Sequence, residues 1–256
     1  MPAAPEPPAH RALILIPSFN SGRLLADTAI SAREQWPDVW VVVDGSTDDS
    51  ADQLSAACRP GADIRVLTLA QNQGKGAALL HGMQTALREG FTHVLTMDAD
   101  GQHPAASIGP FIALSQAHPH AMILGRPVFG ADAPALRTNG RKISNWWANL
   151  ETLWAGIDDS LFGFRVYPIA PLVRIMQAQR WMRRFDFDVE AVVRLYWAGV
   201  SPVNQPAPVR YLRPEEGGVS HFNYLRDNLL LTWMHARLFV GFLVRLPVLI
   251  VRRMKA

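Results

Sequence analysis

Short apolar runs with strand character alternate with helical stretches through the first hundred residues. The apolar runs span 12–17, 39–43, 64–69 and 94–97, and helical patterns occupy 23–35, 51–57 and 76–89. A run that is apolar at every position is typical of a strand buried on both faces. Strands that alternate with helices predict right-handed βαβ units and a mainly parallel sheet. We therefore predict an α/β fold with a central sheet flanked by helices.

Each of these four strands leads into a polar loop. The loops begin near Pro17, Asp44, Asn72 and Asp98. The carboxyl ends of parallel strands meet at one edge of a sheet, and ligands bind beyond that edge. Four polar loops at one edge favour a binding site over a set of unrelated turns.

Two carboxylates one residue apart, Asp98 and Asp100, follow the fourth strand. In an extended segment, side chains at i and i+2 point the same way, so both can offer oxygens to one point. Oxygen ligands suit a hard divalent cation such as Mg²⁺ or Mn²⁺, which is often shared with substrate phosphates. Taken alone, the same residues also fit a solvated Asp-Ala-Asp-Gly turn.

The loop over residues 72–76 is rich in glycine and carries one cation, Lys75. It matches neither a dinucleotide-binding G-x-G-x-x-G motif nor a Walker A loop. It does supply close backbone approach, a helix N-terminus and a positive charge, which together suit a diphosphate. A solvated lysine in an ordinary loop is the alternative.

Composition and charge limit the remaining classes of function. The single cysteine, Cys58, rules out an internal disulfide and fits a reducing compartment. Residues 1–10 are rich in Pro and Ala and lack an apolar signal-peptide core, so we predict a disordered leader. Residues 223–256 hold six Lys or Arg against one acid, while the whole chain has a net charge of only +3. Basic character therefore belongs to the tail, and no nucleic-acid partner is expected.

Four motifs in order carry a resemblance to a known family: Ile16–Asn20, Val43–Ser50, Asn72–Gly76 and Asp98–Gln102. As a block they resemble family 2 glycosyltransferases of the GT-A fold, and most closely the dolichyl- or polyprenyl-phosphate sugar transferases. The resemblance is strong over residues 11–104, fair to 208 and weak beyond. It implies a Rossmann-like GT-A domain over residues 11–222.

The resemblance implies a nucleoside-diphosphate sugar donor, linked to UDP or GDP. By this resemblance Pro17, Phe19 and Asn20 lie against the nucleotide. Asp44 hydrogen-bonds the base, and Lys75 faces the diphosphate.

The resemblance also assigns the metal and acceptor side. Asp98 and Asp100 become the metal-binding DxD pair, with Asp98 also against the donor and Gln102 as a third ligand. Arg126, which ends an edge strand predicted over 123–127, is similar to an arginine that faces phosphate in the subgroup; a surface arginine is the alternative. Asp188 is the candidate catalytic base, at the start of a helix that continues over 191–197, with a capping role for this acidic cluster as the alternative.

The second half of the chain gives weaker patterns. We predict a mobile loop over 128–136, a helix over 137–154 and a strand over 161–167. Trp146, Trp147, Leu150 and Trp154 recur at helical spacing. Core packing is the default interpretation of such a stripe, and contact with an acceptor lipid is the alternative.

The tail, residues 223–256, is strongly apolar from 229 to 251 but includes Arg237 and Arg245. An arginine at the centre of a membrane span costs roughly 2.5–3.5 kcal/mol, which disfavours a spanning helix. We predict an amphipathic, basic helical extension on a membrane surface, with a helix docked on the core as the alternative.

These expectations define a metal-dependent, inverting glycosyltransferase with a lipid or lipid-phosphate acceptor. It would work in the cytoplasm as a peripheral protein on the inner face of the cytoplasmic membrane, in cell-envelope chemistry. The alternatives are a non-catalytic sugar-nucleotide-binding or scaffold protein on the same fold, and a family 2 transferase with a soluble or hydroxyl acceptor.

Overall fold

The computed structural model describes residues 9–58, 63–129, 135–209 and 224–255. Most of the predicted leader, and the predicted boundary between body and tail after residue 222, lie outside these ranges.

In the described part of the chain, seven strands form one sheet in the order β3-β2-β1-β4-β6-β5-β7. Six strands run in one direction, and β6 runs the opposite way between β4 and β5. The predicted α/β class with a mainly parallel sheet is confirmed. The strands are β1 Ala12–Ser18, β2 Val39–Asp44, β3 Ile64–Leu69, β4 His93–Thr96, β5 Met122–Phe129, β6 Arg165–Pro168 and β7 Pro202–Val209.

Helices cover both faces of the sheet. Alternate residues of β1 divide between two apolar cores, since successive side chains of a strand point to opposite faces. Leu13 and Leu15 pack with α3 and α5–α8, whereas Ile14 and Ile16 pack with α1, α2 and α4. The helices are α1 Arg23–Gln35, α2 Ser50–Ala57, α3 Lys75–Arg88, α4 Ile108–Ala117, α5 Ala135–Glu151, α6 Ile169–Gln177, α7 Phe187–Trp197 and α8 Tyr224–Lys255.

The second half differs from its sequence-based prediction in three elements. The edge strand predicted over 123–127 is wrong, because β5 is paired on both sides, by β6 and by β7. The loop predicted over 128–136 is replaced at its ends by β5 and α5, and 130–134 lies outside the described ranges. The strand predicted over 161–167 begins only at Arg165, because the Asp159 carboxylate accepts hydrogen bonds from the next backbone N–H groups, at Leu161 and Phe162.

The tryptophans of α5 correct the prediction of a core stripe. Trp146 is 49% exposed, and Trp154, just beyond the helix, is 53% exposed. Trp147 contacts Phe239 of α8, with ring centroids 5.8 Å apart. The apolar pattern predicted the helix correctly, but it did not predict which face of the helix packs against the rest of the protein.

The tail forms one long helix, α8, which packs on the body. Met234, Leu238, Phe242 and Leu249 are buried, and Met234 and Leu238 belong to the same core as β1. Among the described residues, one helical stretch, Leu229–Lys255, has the length and apolar composition needed to cross a membrane.

Candidate active site

A cavity of about 380 Å³ opens at the carboxyl edge of the sheet. Loops after β1, β2, β3 and β4 form most of its wall, and the segment before α7 closes one side. The topology therefore brings together polar loops that lie far apart in the sequence. Six of the residues singled out from the sequence line this cavity: Pro17, Phe19, Asp44, Lys75, Asp98 and Asp100.

Asp44 holds the glycine-rich loop in place. Its carboxylate accepts hydrogen bonds from the backbone N–H of Gln73 at 2.8 Å and of Gly74 at 2.7 Å, and from the Asn72 amide at 3.1 Å. Gly74 has φ of 101°, a conformation that favours glycine. A Cβ there would also lie 2.4 Å from the carbonyl oxygen of Arg183. The loop is thus shaped both by the carboxylate beneath it and by the segment above it.

Lys75 joins two carboxylates from distant parts of the chain. Its Nζ lies 2.8 Å from Asp98 Oδ1 and 2.8 Å from Asp188 Oδ2. Burial alone would lower the pKa of Lys75, but Asp188 and Asp98 outweigh it and raise that pKa well above its ordinary value. An ammonium group has three N–H donors, so one remains for a further acceptor.

Asp98 and Asp100 have opposite shifts in pKa. Burial would raise the pKa of Asp98, but the Lys75 charge, helped by His103, lowers it. Burial raises the pKa of Asp100, and the neighbouring Asp98 charge raises it further. A cation between the two carboxylates would relieve this repulsion, and their oxygens suit a hard divalent ion.

The wider ligand set is small. Within the described ranges, no group of three or more His, Cys, Asp and Glu side chains could hold a metal ion. A divalent ion at Asp98 and Asp100 would therefore need further oxygen ligands from outside this set, such as the Gln102 amide or substrate oxygens.

His103 supports this loop and was not predicted from the sequence. Its Nδ1 accepts a hydrogen bond from the Asp98 backbone N–H at 3.1 Å, and its ring packs edge-on against Phe162. Burial lowers the pKa of His103, although the nearby Asp98 and Asp100 charges oppose that shift. Nδ1 of His103 thus acts as a hydrogen-bond acceptor that positions Asp98. In the sequence, only its position five residues after Asp98 could have indicated this role.

Asp98 also lines a second, smaller cavity of about 80 Å³. Gln102, Gly163 and Arg141 contribute to its wall. The Arg141 guanidinium pairs with both carboxylate oxygens of Asp159, at 2.8 and 2.9 Å. Asp98 therefore lines both cavities, and the smaller one also has a cation, Arg141, that the sequence did not identify.

Three predicted residues lie outside the lining of both cavities. Asn20 joins two loops, because its Oδ1 accepts a hydrogen bond from the Thr47 backbone N–H at 2.8 Å. Arg126 is half-exposed, and its Nε lies 3.5 Å from an Asp158 oxygen. Asp188 is buried behind Lys75, and its backbone carbonyl accepts a hydrogen bond from Arg165. Their predicted roles stay predictions.

Arg184 is a further cation of the large cavity; from the sequence, Arg180, Arg183 and Arg184 could meet an anionic acceptor or headgroups, or be solvated. It lies in the segment before α7, and its side chain crosses over Gly74. Among the residues that the structure describes, no carboxylate pairs with its guanidinium. Lys75 is already paired twice, so Arg184 is the lining cation with most capacity for an anionic ligand.

Comparison with known proteins first defines the class. The structure of glucosyl-3-phosphoglycerate synthase from Mycobacterium tuberculosis, crystallised with Mn²⁺, UDP and phosphoglyceric acid, superposes with a TM-score of 0.63 at 15% identity. That match covers 93% of this chain and 78% of the other. The fold is therefore GT-A, as predicted.

Sequence comparison then gives the family. The profile of Glycosyl transferase family 2 matches residues 13–175, and the chain belongs to that family. It is similar to polyprenol monophosphomannose synthase of Mycolicibacterium smegmatis, with 28% identity over 78% of this chain and 77% of the relative. It is also similar to undecaprenyl-phosphate mannosyltransferase of Micrococcus luteus, with 25% identity over 81% and 86%. The protein is a glycosyltransferase, and the predicted resemblance to polyprenyl-phosphate sugar transferases is confirmed.

Proposed function

We propose that this glycosyltransferase moves a sugar, with inversion, from a nucleoside-diphosphate sugar to a polyprenyl-phosphate or similar lipid-phosphate acceptor. The observation that carries the proposal is that Asp98 lines both a large cavity and a small one, and that Arg141 also lines the small one. One cavity has the size of a ligand site, and the other places a cation beside the same carboxylate. The names of the two curated relatives, which act on polyprenol or undecaprenyl phosphate, support the acceptor class.

The large cavity is the proposed donor site. The nucleotide lies along Pro17 and Phe19 towards Asp44, and the diphosphate meets the remaining N–H of Lys75 and the guanidinium of Arg184. Asp98, Asp100 and the Gln102 amide would hold Mg²⁺ or Mn²⁺. When bound, the ion neutralises negative charge that develops on the leaving diphosphate.

The small cavity is the proposed acceptor phosphate site. Two hydrogen bonds from Nη1 to Asp159 hold the Arg141 guanidinium in place. Its Nη2 and Nε N–H groups can then bind a phosphate beside Asp98. Arg126, which forms an ion pair with Asp158, remains a second candidate for binding the same phosphate.

The chemistry needs no proton to be removed from a phosphate acceptor. A phosphate oxygen forms a bond to the anomeric carbon of the sugar while the bond from that carbon to the diphosphate oxygen breaks. A lipid phosphate is already ionised near neutral pH, because its second pKa is near 6. Asp188 then serves as the counter-ion of Lys75, and its place as a general base belongs to the hydroxyl-acceptor alternative.

The acceptor implies a location. A lipid phosphate is presented at a membrane surface, so the protein would act as a peripheral protein on the cytoplasmic face of the cytoplasmic membrane. The free Cys58 agrees with that compartment.

The donor can be tested by thermal shift with UDP-, GDP- and dTDP-sugars, each with Mn²⁺ and with EDTA. A ligand that binds the native state raises its stability. We expect one base to stabilise the protein in Mn²⁺ and to lose most of that effect in EDTA. No response to any sugar nucleotide would contradict the proposed donor site, and a response that ignores EDTA would contradict the metal.

Asp188→Asn separates the two acceptor classes. The amide still accepts a hydrogen bond from Lys75, so with a phosphate acceptor we expect a loss of at most about tenfold in kcat/KM, roughly 1.4 kcal/mol. A positioned base contributes about 10²- to 10⁴-fold. A loss of a thousandfold or more, with unchanged folding and donor binding, would make Asp188 the base for a hydroxyl acceptor.

A further inference from the structure

Helix α8 presents an apolar face to solvent along most of its length. Trp233 is 55% exposed, Val240 62%, Val244 74% and Met254 74%. Residues separated by three, four or seven positions share one side of a helix, so these side chains form a continuous stripe. The opposite side is the one buried on the body through Met234 and Leu238.

Three arginines of α8 donate hydrogen bonds to the body. Arg237 lies 3.2 Å from both oxygens of buried Glu190. Arg252 donates to the carbonyl oxygen of Tyr196 at 2.9 Å, near the C-terminus of α7, where a cation is favoured. Arg253 donates to the carbonyl oxygen of Leu153. The solvent-facing side of α8 is thus largely apolar, in contrast to an ordinary surface helix, whose outer face is polar.

Helix α5 extends the same surface. Ile143 is 66% exposed, and the rings of Trp146 and Trp154 lie 6.4 Å apart. Trp147 contacts both Trp146 and Phe239 of α8, which joins the two helices. We call this patch the α5–α8 apolar surface; its main exposed members are Ile143, Trp146, Trp154, Trp233, Val240 and Val244.

Charge indicates what covers this surface. From Leu229 to Lys255 the chain holds five Arg or Lys and no Asp or Glu. Four of them, Arg245, Arg252, Arg253 and Lys255, are exposed, so they can meet anionic headgroups when the stripe enters a bilayer. A second copy would bring the same positive charge and would be repelled. Exposed tryptophans also favour the boundary between headgroups and hydrocarbon.

The docked face of α8 settles its direction relative to such a bilayer. Met234, Leu238, Phe242 and Leu249 are buried in the protein, so the helix cannot leave the body to span without exposing them. A flat orientation buries the outward stripe and keeps the inward one packed.

We infer that the α5–α8 apolar surface docks flat on an anionic lipid bilayer, with the axis of α8 in the membrane plane. The bilayer contact thereby includes α5, whose Arg141 lines the small cavity. This inference rests on the proposed function only for its use, the capture of a lipid acceptor; the docking surface itself stands on the exposed residues.

The test is flotation of the full chain with vesicles of phosphatidylcholine and phosphatidylglycerol. The variant Val240→Asp/Val244→Asp puts charge on the stripe without touching the buried side. We expect its partition onto vesicles to fall at least tenfold. Leu87→Asp, at an apolar α3 residue that is 39% exposed, is the matched control and should bind like the wild type. Melting temperature and donor binding verify that each variant is folded.

Three outcomes would overturn the inference. The wild type ignores the vesicles; the double variant floats as well as the wild type; or the wild type is a dimer in solution that the double variant dissociates, which would assign the surface to a second copy. Binding to pure phosphatidylcholine should be at least fivefold weaker, since each basic group adds about 1 kcal/mol on anionic lipid. A protein that binds donor but no vesicle contradicts this inference alone, and one that binds vesicles but no donor contradicts the proposed function alone.

Discussion

The carboxyl edge of the sheet and the α5–α8 apolar surface arrange charge in opposite ways. At the sheet edge, apolar strands are buried and charged side chains such as Lys75 and Asp98 meet around a cavity. On α8, charged side chains such as Arg237 pack inward, and apolar ones such as Val244 face outward. Charged side chains therefore indicate the ligand site in the first region, whereas exposed apolar side chains indicate the contact surface in the second.

Asp100→Ala should have the largest effect, and it tests the sheet edge. We expect kcat/KM for transfer to fall at least a thousandfold, about 4 kcal/mol, because Asp100 is a part-buried carboxylate near Asp98 that we propose holds a cation. Binding of UDP or GDP should become insensitive to Mn²⁺, with an unchanged melting temperature. Asp27→Ala, at a carboxylate that is 65% exposed, is the control. Retention of a tenth of the activity would contradict the metal role.

Arg237→Ala tests the inward charge of α8. Glu190 is fully buried and also contacts Arg194, so loss of Arg237 leaves it only partly compensated. We expect the free energy of unfolding in urea to fall by about 3 kcal/mol. Arg245→Ala should cost no more than about 0.5 kcal/mol, since Arg245 is exposed and hydrogen-bonds within its own helix. Equal effects of the two variants would show that the ion pair of Arg237 with Glu190 does not stabilise the packing of α8 on the body.

Gly163→Ala disturbs the ion pairs of the sheet edge without a large change in stability. A Cβ at Gly163 would lie 2.7 Å from Asp98 Oδ2 and 2.8 Å from Lys75 Nζ. Both atoms end flexible side chains, so they move at small cost, but their geometry is lost. We expect kcat/KM to fall about a hundredfold with little change in melting temperature. In the control Gly109→Ala the new Cβ meets no atom within 4 Å, so this variant should keep full activity. If Gly163→Ala keeps activity within twofold of wild type, the geometry of Lys75 and Asp98 is not needed for transfer.

Acid titration probes the first region from the other end of β4 and has the smallest expected effect. His93 is satisfied as a neutral ring, with Nε2 donating to the Pro119 carbonyl and Nδ1 bonded to the Thr92 hydroxyl. Burial lowers the pKa of His93 to about 4. The unfolded chain takes up this proton near pH 6.5, so between these values acid favours unfolding. We expect about 1–2 kcal/mol less stability at pH 5 than at pH 7.

The same titration of His93→Gln provides the comparison. The variant should lose less stability between pH 7 and pH 5 than the wild type does. Parallel curves for the two proteins would show that His93 has no part in the acid response.

Sequence patterns predicted the first region well because each element there is decided locally. The bounds of α1 and β3 agree with the patterns of 23–35 and 64–69, and the motif residues Asp44, Lys75 and Asp98 meet at one edge. Apolar runs and polar loops alternate so regularly that the parallel order follows from them.

The second region depends on pairing partners that local patterns do not show. Strand β7, Pro202–Val209, contains three prolines, which hide its strand character and fit its place at the edge of the sheet. Without it, β5 looked like an edge strand. Arg141 was missed, and the cavity that Arg184 lines was not predicted, for a related reason, since only the tertiary fold brings them to the cavities. The apolar spacing of α5 could not tell which tryptophans the body leaves uncovered.

The pairing of β4 with β6, which follows much later in the sequence, has a consequence for how the protein is made. Thr96 of β4 pairs with Arg165 of β6, so on the ribosome one edge of β4 waits for a partner about seventy residues away. At synthesis rates of about 5–20 residues per second, the delay is on the order of 4 to 14 s. During that time the nascent sheet presents an open strand edge to chaperones or to other chains. Lys75 must likewise wait for Asp188, so the catalytic edge is completed only after α7 has emerged.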